Sequence, residues 1–203
     1  EIEPKEKYDC KSITLEKEMQ DISGNPAYDV AKAQWGGNWR MPVGFHAVDN
    51  AGVKDNEVVM VIGCGMVGLG AVVRAAIRGA IVIAVDLDDE KLALAKEVGA
   101  KYVINSKTTN VHDEVMRISQ GFGADVVIEA VGHPATYNMA IDEVSFTGRV
   151  VYIGYAKSEV AFQTKLFVQK ELTIRGSRNA LPEDFRAVIH YLNQHDFPYS
   201  KFI

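Results

Sequence analysis

Residues 58–86 constrain this chain more than any other stretch. Val58-Val59-Met60-Val61-Ile62 is an apolar run of strand length. It leads into Gly63-Cys64-Gly65-Met66-Val67-Gly68, three glycines at G-x-G-x-x-G spacing. Small and aliphatic residues at helical spacing follow, closed by Gly79. A second apolar run, 81–85, then ends in Asp86. A strand, tight turn, helix and strand in this order form a unit that can receive a dinucleotide. Gly63 permits the turn, Gly65 lets backbone approach a pyrophosphate, and Gly68 allows the helix to pack closely. The free N–H groups of a helix starting at Met66 and Val67 would face phosphate oxygens. The plainer alternative is a glycine turn that serves packing alone.

Asp86 lies 18 residues beyond Gly68. A carboxylate there can accept hydrogen bonds from both ribose hydroxyls of an adenosine and would repel a 2′-phosphate. Leu87, Asp88 and Asp89 follow, with no arginine. The expected cofactor is therefore NAD, not NADP. Asp88 and Asp89 suit the start of the next helix. Lys91 fits either the adenine edge or a solvated helix face.

The remaining chain alternates in the same way. Apolar runs at 57–62, 81–85, 102–104, 125–130, 149–153 and 172–175 read as strands. Helical patterns cover 43–51, 66–78, 88–98, 111–120, 134–146, 166–170 and 182–192, several closed by glycine. The strands are continuously apolar, as in a parallel sheet covered on both faces. The expected fold is α/β, a doubly wound parallel six-stranded Rossmann sheet in the order 3-2-1-4-5-6. Ligands bind such sheets at the carboxyl ends of the strands. Ala130, Val131 and Gly132, Ile153 and Gly154, and Ser177 and Arg178 fall there. Gly132 and Gly154 would let backbone pass near a nicotinamide. Arg178 suits either a phosphate or a surface ion pair.

Residues 1–42 differ, being charged at first and then irregular. They read as a short, loosely packed N-terminal segment ahead of a nucleotide-binding domain over 43–203. Trp35 and Trp39 form either a packed aromatic corner or a ligand-stacking surface. Across 203 residues the net charge is -5, which offers no nucleic-acid surface. With two cysteines, Cys10 and Cys64, neither a disulfide scaffold nor a four-thiolate zinc site can form within one chain. No signal peptide or membrane-spanning run is evident, so a cytoplasmic location without membrane contact is expected. His46, His112, His133, His190 and His195 fall on separate elements, His112 and His190 on exposed helix positions. No set has zinc-ligand spacing, and no nucleophile–base pair stands out.

Taken together, Gly44-Phe45-His46-Ala47-Val48, the Val61 to Gly68 loop, Ala84-Val85-Asp86, Leu92 to Ala100, Glu129-Ala130-Val131-Gly132 and Gly148 to Gly154 resemble the cofactor domain of the medium-chain zinc-dependent alcohol/polyol dehydrogenases, nearest the sorbitol and threonine branch. The resemblance implies an oxidoreductase in which zinc polarises a secondary alcohol and hydride passes to NAD. It covers 43–203. The family's preceding GroES-like domain, which carries the catalytic zinc ligands, finds no counterpart in the residues before Val43, and its closing segment has none after Ile203. The resemblance therefore implies a cofactor half without alcohol turnover of its own, no catalytic residue or zinc ligand to carry over, and zinc only in the intact enzyme. It also implies a homodimer seam along the sixth strand, Leu172-Thr173-Ile174. Residues 1–42, through Glu1 to Tyr8 and Trp35 to Pro42, resemble a repeat domain of secreted Bacteroides and Fibrobacter surface proteins, which suggests a junction of two unrelated fragments.

Two other readings stand beside this one. The domain could be a non-catalytic nucleotide-binding or oligomerisation module. It could also be a methyltransferase using S-adenosylmethionine, against which stand the glycine spacing and the lack of a reversed seventh strand.

Overall fold

The computed structural model describes residues 40–195. The expectations for 1–39, including Cys10, Trp35 and Trp39, lie outside the described residues. Thirteen elements follow in chain order: α1 (Arg40–Ala51), β1 (Val58–Ile62), α2 (Met66–Ile77), β2 (Ile81–Asp86), α3 (Asp89–Glu97), β3 (Tyr102–Asn105), α4 (Val111–Ile118), β4 (Ala124–Glu129), α5 (Pro134–Glu143), β5 (Val144–Tyr152), α6 (Lys165–Gln169), β6 (Thr173–Gly176) and α7 (Pro182–Gln194).

The six strands form one sheet in the order β3-β2-β1-β4-β5-β6, and every pairing is parallel. This is the expected doubly wound order. The sheet reverses direction of growth between β1 and β4, which opens a crevice at their carboxyl ends. Both faces are covered. Val59, Val61, Val82, Ala84, Val126 and Ile128 pack under α1, α2, α3 and α7. Met60, Ile62, Ile83, Val85 and Val127 face α4, α5 and α6. A strand buried on both sides has no need of polar alternation, which is why these runs are continuous.

Helix α1 begins at Arg40, three residues ahead of the expected start. Met41 and Phe45 are fully buried against α2 and the sheet, and burying Phe45 is worth roughly 1.5–3 kcal/mol. The two helices touch backbone to backbone. A Cβ on Gly44 would lie 2.1 Å from the Val67 carbonyl oxygen, and one on Gly70 would lie 2.4 Å from that of Met41. Thus α1 is locked to the helix that opens the glycine loop.

The largest departure from expectation is at 134–153. Helix α5 stops at Glu143 and the strand starts at once, at Val144. Val144 pairs with Ala124, and the register shifts before Val126 meets Arg149. Gly148 therefore lies inside a bulged strand and not after a helix. The Lys170 ammonium ends α5 by donating to the carbonyls of Ile141, Asp142 and Val144 at 3.0, 2.7 and 2.9 Å. A lysine 26 residues downstream of Val144 leaves no signal in the local pattern.

Candidate functional site

The predicted site residues gather along the carboxyl edge. Their backbones step from strand to strand through hydrogen bonds. Gly63 N–H donates to Val85 O at 2.8 Å, Ala130 N–H to Ile62 O at 2.9 Å, Ile153 N–H to Glu129 O at 2.8 Å, and Ser177 N–H to Tyr152 O at 2.9 Å. The exits of β2, β1, β4, β5 and β6 thus form one continuous rim.

The three glycines of the loop have different surroundings. Gly63 has φ 91°, the left-handed region that glycine enters without steric cost. A Cβ on it would strike Val131 Cγ2 at 2.6 Å, so the β1 and β4 exits touch. A Cβ on Gly68 would fall 1.7 Å from Gly63 O, so this glycine seats the helix against its own loop. Gly65 is exposed, and nothing lies within 4 Å of where its Cβ would be. It is the N-cap of α2, with Met66 and Val67 half-buried in the first turn behind it. Open space before a helix start, where backbone N–H groups lack intrahelical partners, has the form of an anion cradle.

Asp86 closes the cradle on the β2 side. Its Oδ2 accepts the Cys64 N–H at 2.7 Å, and its Oδ1 accepts Leu87 N–H at 2.7 Å and Asp88 N–H at 3.1 Å. The carboxylate is half-buried and ties the glycine loop to the end of β2. An ionised carboxylate has about four acceptor positions, so three N–H donors leave capacity for a ligand hydroxyl. Leu87 is 54% exposed beside it, and Lys91 is exposed one turn into α3. Asp88 caps that helix, accepting from Glu90 N–H at 2.9 Å and Lys91 N–H at 3.4 Å. Asp89 accepts instead from Asn105 Nδ2 at 2.7 Å. Cys64 is fully buried. Burial first, and the Asp86 charge second, push its thiol up to about 12. It is a packed thiol that stays protonated at neutral pH and so makes a poor nucleophile.

On the other side of the crevice, Val131 is 50% exposed. Ala130, Gly132, Ile153 and Gly154 are half-buried. The β4 and β5 exits meet backbone to backbone: a Cβ on Gly154 would lie 2.2 Å from Gly132 N, and one on Gly132 would lie 2.6 Å from Tyr155 N. The glycines expected to admit a ligand therefore first admit each other. His133 is the N-cap of α5, its Nδ1 accepting from Ala135 N–H at 3.2 Å. Ser177 is buried and its hydroxyl has no hydrogen-bond partner among the described residues. Arg178 is exposed and forms no ion pair among the described residues. Both stand three strands from the glycine loop, about 14 Å away at ordinary strand spacing.

Two features of the rim have no signal in the sequence pattern. Glu129 is completely buried at the end of β4 and holds the turn that follows. Tyr137 donates its hydroxyl to Gly154 O at 2.5 Å and stacks on Tyr152, with centroids 4.1 Å apart. Burial first, then the Glu129 charge, raises the Tyr137 pKa. Neither contact has a local motif, although Glu129 is an acid inside an apolar strand and could have drawn attention on that ground.

A groove of about 810 Å³ lies at the opposite, amino end of β4 and β5, lined by His112, Phe122, Asp142, Phe146 and Lys170 among others. None of the predicted site residues lines it. His112 is exposed on its helix, as expected, and pairs with the buried Glu143 at 3.1 Å. Among the described residues no three His, Cys, Asp or Glu side chains gather in a way that could hold a metal. No helix among them is long and apolar enough to cross a membrane.

A parallel sheet in this order with a glycine-loop cradle at its crevice is common to many nucleotide-binding proteins, and the fold does not choose among them. Comparison does. Residues 66–194 match the family model for zinc-binding dehydrogenases. The chain belongs to the zinc-binding dehydrogenase family. Among this family's members, a sorbitol dehydrogenase of Halalkalibacterium halodurans is 32% identical over 152 residues, covering 73% of this chain and 44% of that protein. The crystal structure of an alcohol dehydrogenase zinc-binding domain protein from Burkholderia ambifaria superposes with a TM-score of 0.73 at 31% identity, covering 80% of this chain and 45% of that one. A short chain alcohol dehydrogenase of Escherichia coli complexed with NADH gives 0.70 at 27% identity, covering 80% and 48%. The chain thus spans under half the length of the zinc-binding dehydrogenases it matches.

Proposed function

We propose that this chain supplies the NAD-binding half of a zinc-dependent alcohol or polyol dehydrogenase. One observation carries the reading. Of the three loop glycines, Gly63 and Gly68 are sealed by neighbours, while Gly65 alone opens onto free space at the head of α2. A phosphate would use that space, and packing would not. Gly63, Gly65, Met66, Val67 and Gly68 hold the pyrophosphate, and Asp86, Leu87 and Lys91 hold the adenosine. Ala130, Val131, Gly132, Ile153 and Gly154 border the nicotinamide side, with Ser177 and Arg178 at its far end. Bound NAD accepts a hydride at the nicotinamide, and that chemistry is the cofactor's own. This chain's residues bind, orient and cover it.

The described residues do not fit a zinc ion. They bring no three ligating side chains together. The intact dehydrogenase would act on a secondary alcohol or polyol in the cytoplasm, and this chain alone would bind NAD without turning over alcohol. Calorimetric titration of the purified chain tests the reading. NAD should bind more tightly than NADP, and S-adenosylmethionine not at all. Absence of NAD binding, or preference for NADP, would refute it.

The second reading, a nucleotide module that assembles through its sheet edge, has one observation in its favour. All four residues of β6 are exposed, and among the described residues the strand is paired on one side only, to β5. Such an edge is a template for a second copy. Sedimentation of the chain and of Ile174→Lys checks this. A homodimer lost in the variant supports it, and a monomer in both rejects it.

A further inference from the structure

Glu129 is the most deeply buried charged residue described, at 0% exposure, and no role in packing explains it. It stands where β4 ends, in register with Ile62 of β1 and Tyr152 of β5. Its Oε1 accepts three donors: Val131 N–H at 2.9 Å, Gly132 N–H at 2.8 Å and the Thr136 hydroxyl at 2.7 Å. Its Oε2 is buried with no partner among the described residues. A buried carboxylate is costly, and half-satisfied it is more so. The three bonds have one common effect. They fix the turn of Ala130, Val131 and Gly132 and join it to the first turn of α5. The next residue on that helix, Tyr137, holds Gly154 O, and the Gly154 and Gly132 backbones touch. The β4 and β5 exits are therefore clamped to α5 as one unit, with Glu129 at its base.

The adenosine half of a dinucleotide would lie toward Asp86 on β2, with the pyrophosphate on the β1 loop. The second nucleotide then falls on the other side of the switch point, over β4 and β5. We propose that Glu129 is a positioning residue for that second nucleotide. It does not touch the ligand. It holds the turn in the shape that receives the nicotinamide and its ribose, so that no ordering is needed on binding. The proposal rests on the NAD reading above and adds a division of labour between the two halves of the crevice.

The test compares two ligands on the purified chain. NAD spans both halves. ADP carries the adenosine and both phosphates but neither the second ribose nor the nicotinamide. Glu129→Leu removes the acceptor for both turn N–H groups, whereas Glu129→Gln keeps an oxygen to accept them. By calorimetry, E129L should raise the NAD dissociation constant about tenfold while ADP stays within about twofold, and E129Q should stay within about threefold of the parent for both ligands. Hydrogen exchange at Val131 and Gly132 should quicken in E129L and not in E129Q. A general structural role would weaken both ligands alike. Parallel losses in E129L, or an unchanged NAD affinity, overturn the proposal. If E129L does not fold, Thr136→Val removes the third donor, and it must weaken NAD by about threefold without moving ADP. Equal effects on the two ligands there also overturn it. If the parent chain binds neither ligand, the NAD reading itself fails. If it binds both and the variants do not separate them, only the Glu129 proposal fails.

Discussion

Two glycines three residues apart should respond to the same substitution in opposite ways. Gly65→Ala places a methyl group in open space, and the backbone there, φ -70° and ψ -179°, is ordinary for alanine. Alanine is a poorer N-cap than glycine, but it also restricts the unfolded chain, and these effects nearly cancel to within about 0.5 kcal/mol. Gly68→Ala places its methyl 1.7 Å from Gly63 O and 2.9 Å from Gly63 C. Both atoms are backbone, so the loop itself must move, and with it the bond from Gly63 N–H to Val85 O at 2.8 Å. Overpacking of this kind costs about 1–3 kcal/mol. At about 2–4 °C per kcal/mol for a domain of this size, G68A should melt about 2–12 °C lower while G65A melts with the parent. Binding should invert the order of interest. On the proposed reading the G65A methyl would stand where the pyrophosphate lies, so NAD affinity should fall at least about tenfold in a fully folded protein. Scanning calorimetry and NAD titration on the two variants are sufficient. If G65A loses as much stability as G68A, or binds NAD as the parent does, the assignment of Gly65 to the ligand is wrong.

Other outcomes follow from single contacts. Asp86→Ala strands the buried Cys64 N–H, which should cost about 1–3 kcal/mol in urea unfolding and abolish any preference for NAD over NADP. Cys64 has a folded pKa raised to about 12 against an ordinary value of 9.0. Its neutral thiol therefore contributes stability that is fully present below pH 9 and is lost as pH rises from 9 toward 12. Relative to Cys64→Ala, the parent should lose about 1.4 kcal/mol per pH unit in that window, measured as the difference between the two unfolding curves. Lys170→Met leaves the last α5 carbonyls without their shared donor, and stability should fall by about 1–3 kcal/mol, read by thermal melts.

Several parts of this protein were legible in the residues alone because the forces that set them are local. An apolar run covered on both faces must be continuous, so Val58-Val59-Met60-Val61-Ile62 announces a central parallel strand. A tight turn into a helix needs glycine at Gly63, and a helix start needs an acceptor such as Asp88. Strand–helix alternation and right-handed crossovers give a doubly wound sheet, and the dinucleotide glycine pattern points to the 3-2-1-4-5-6 order. These rules place the sheet and its carboxyl-edge crevice from the residues alone.

Tertiary structure decided the rest, because the contacts join residues far apart in the chain. The boundary at Glu143 and Val144 depends on Lys170, and no periodicity within 134–146 reports it. Gly44 and Gly70 look like ordinary helix glycines until α1 and α2 meet backbone to backbone. Asp86 reads as a ribose acceptor from its place after β2, but it also holds the Cys64 N–H 22 residues away. Glu129 reads as an odd acid in a strand, and its role appears only when Oε1 is seen beneath the turn that it holds. Sequence determines what each segment can be, through conformational preference and burial. Only packing determines which buried polar groups meet, because each costs several kcal/mol unless the fold brings it a partner.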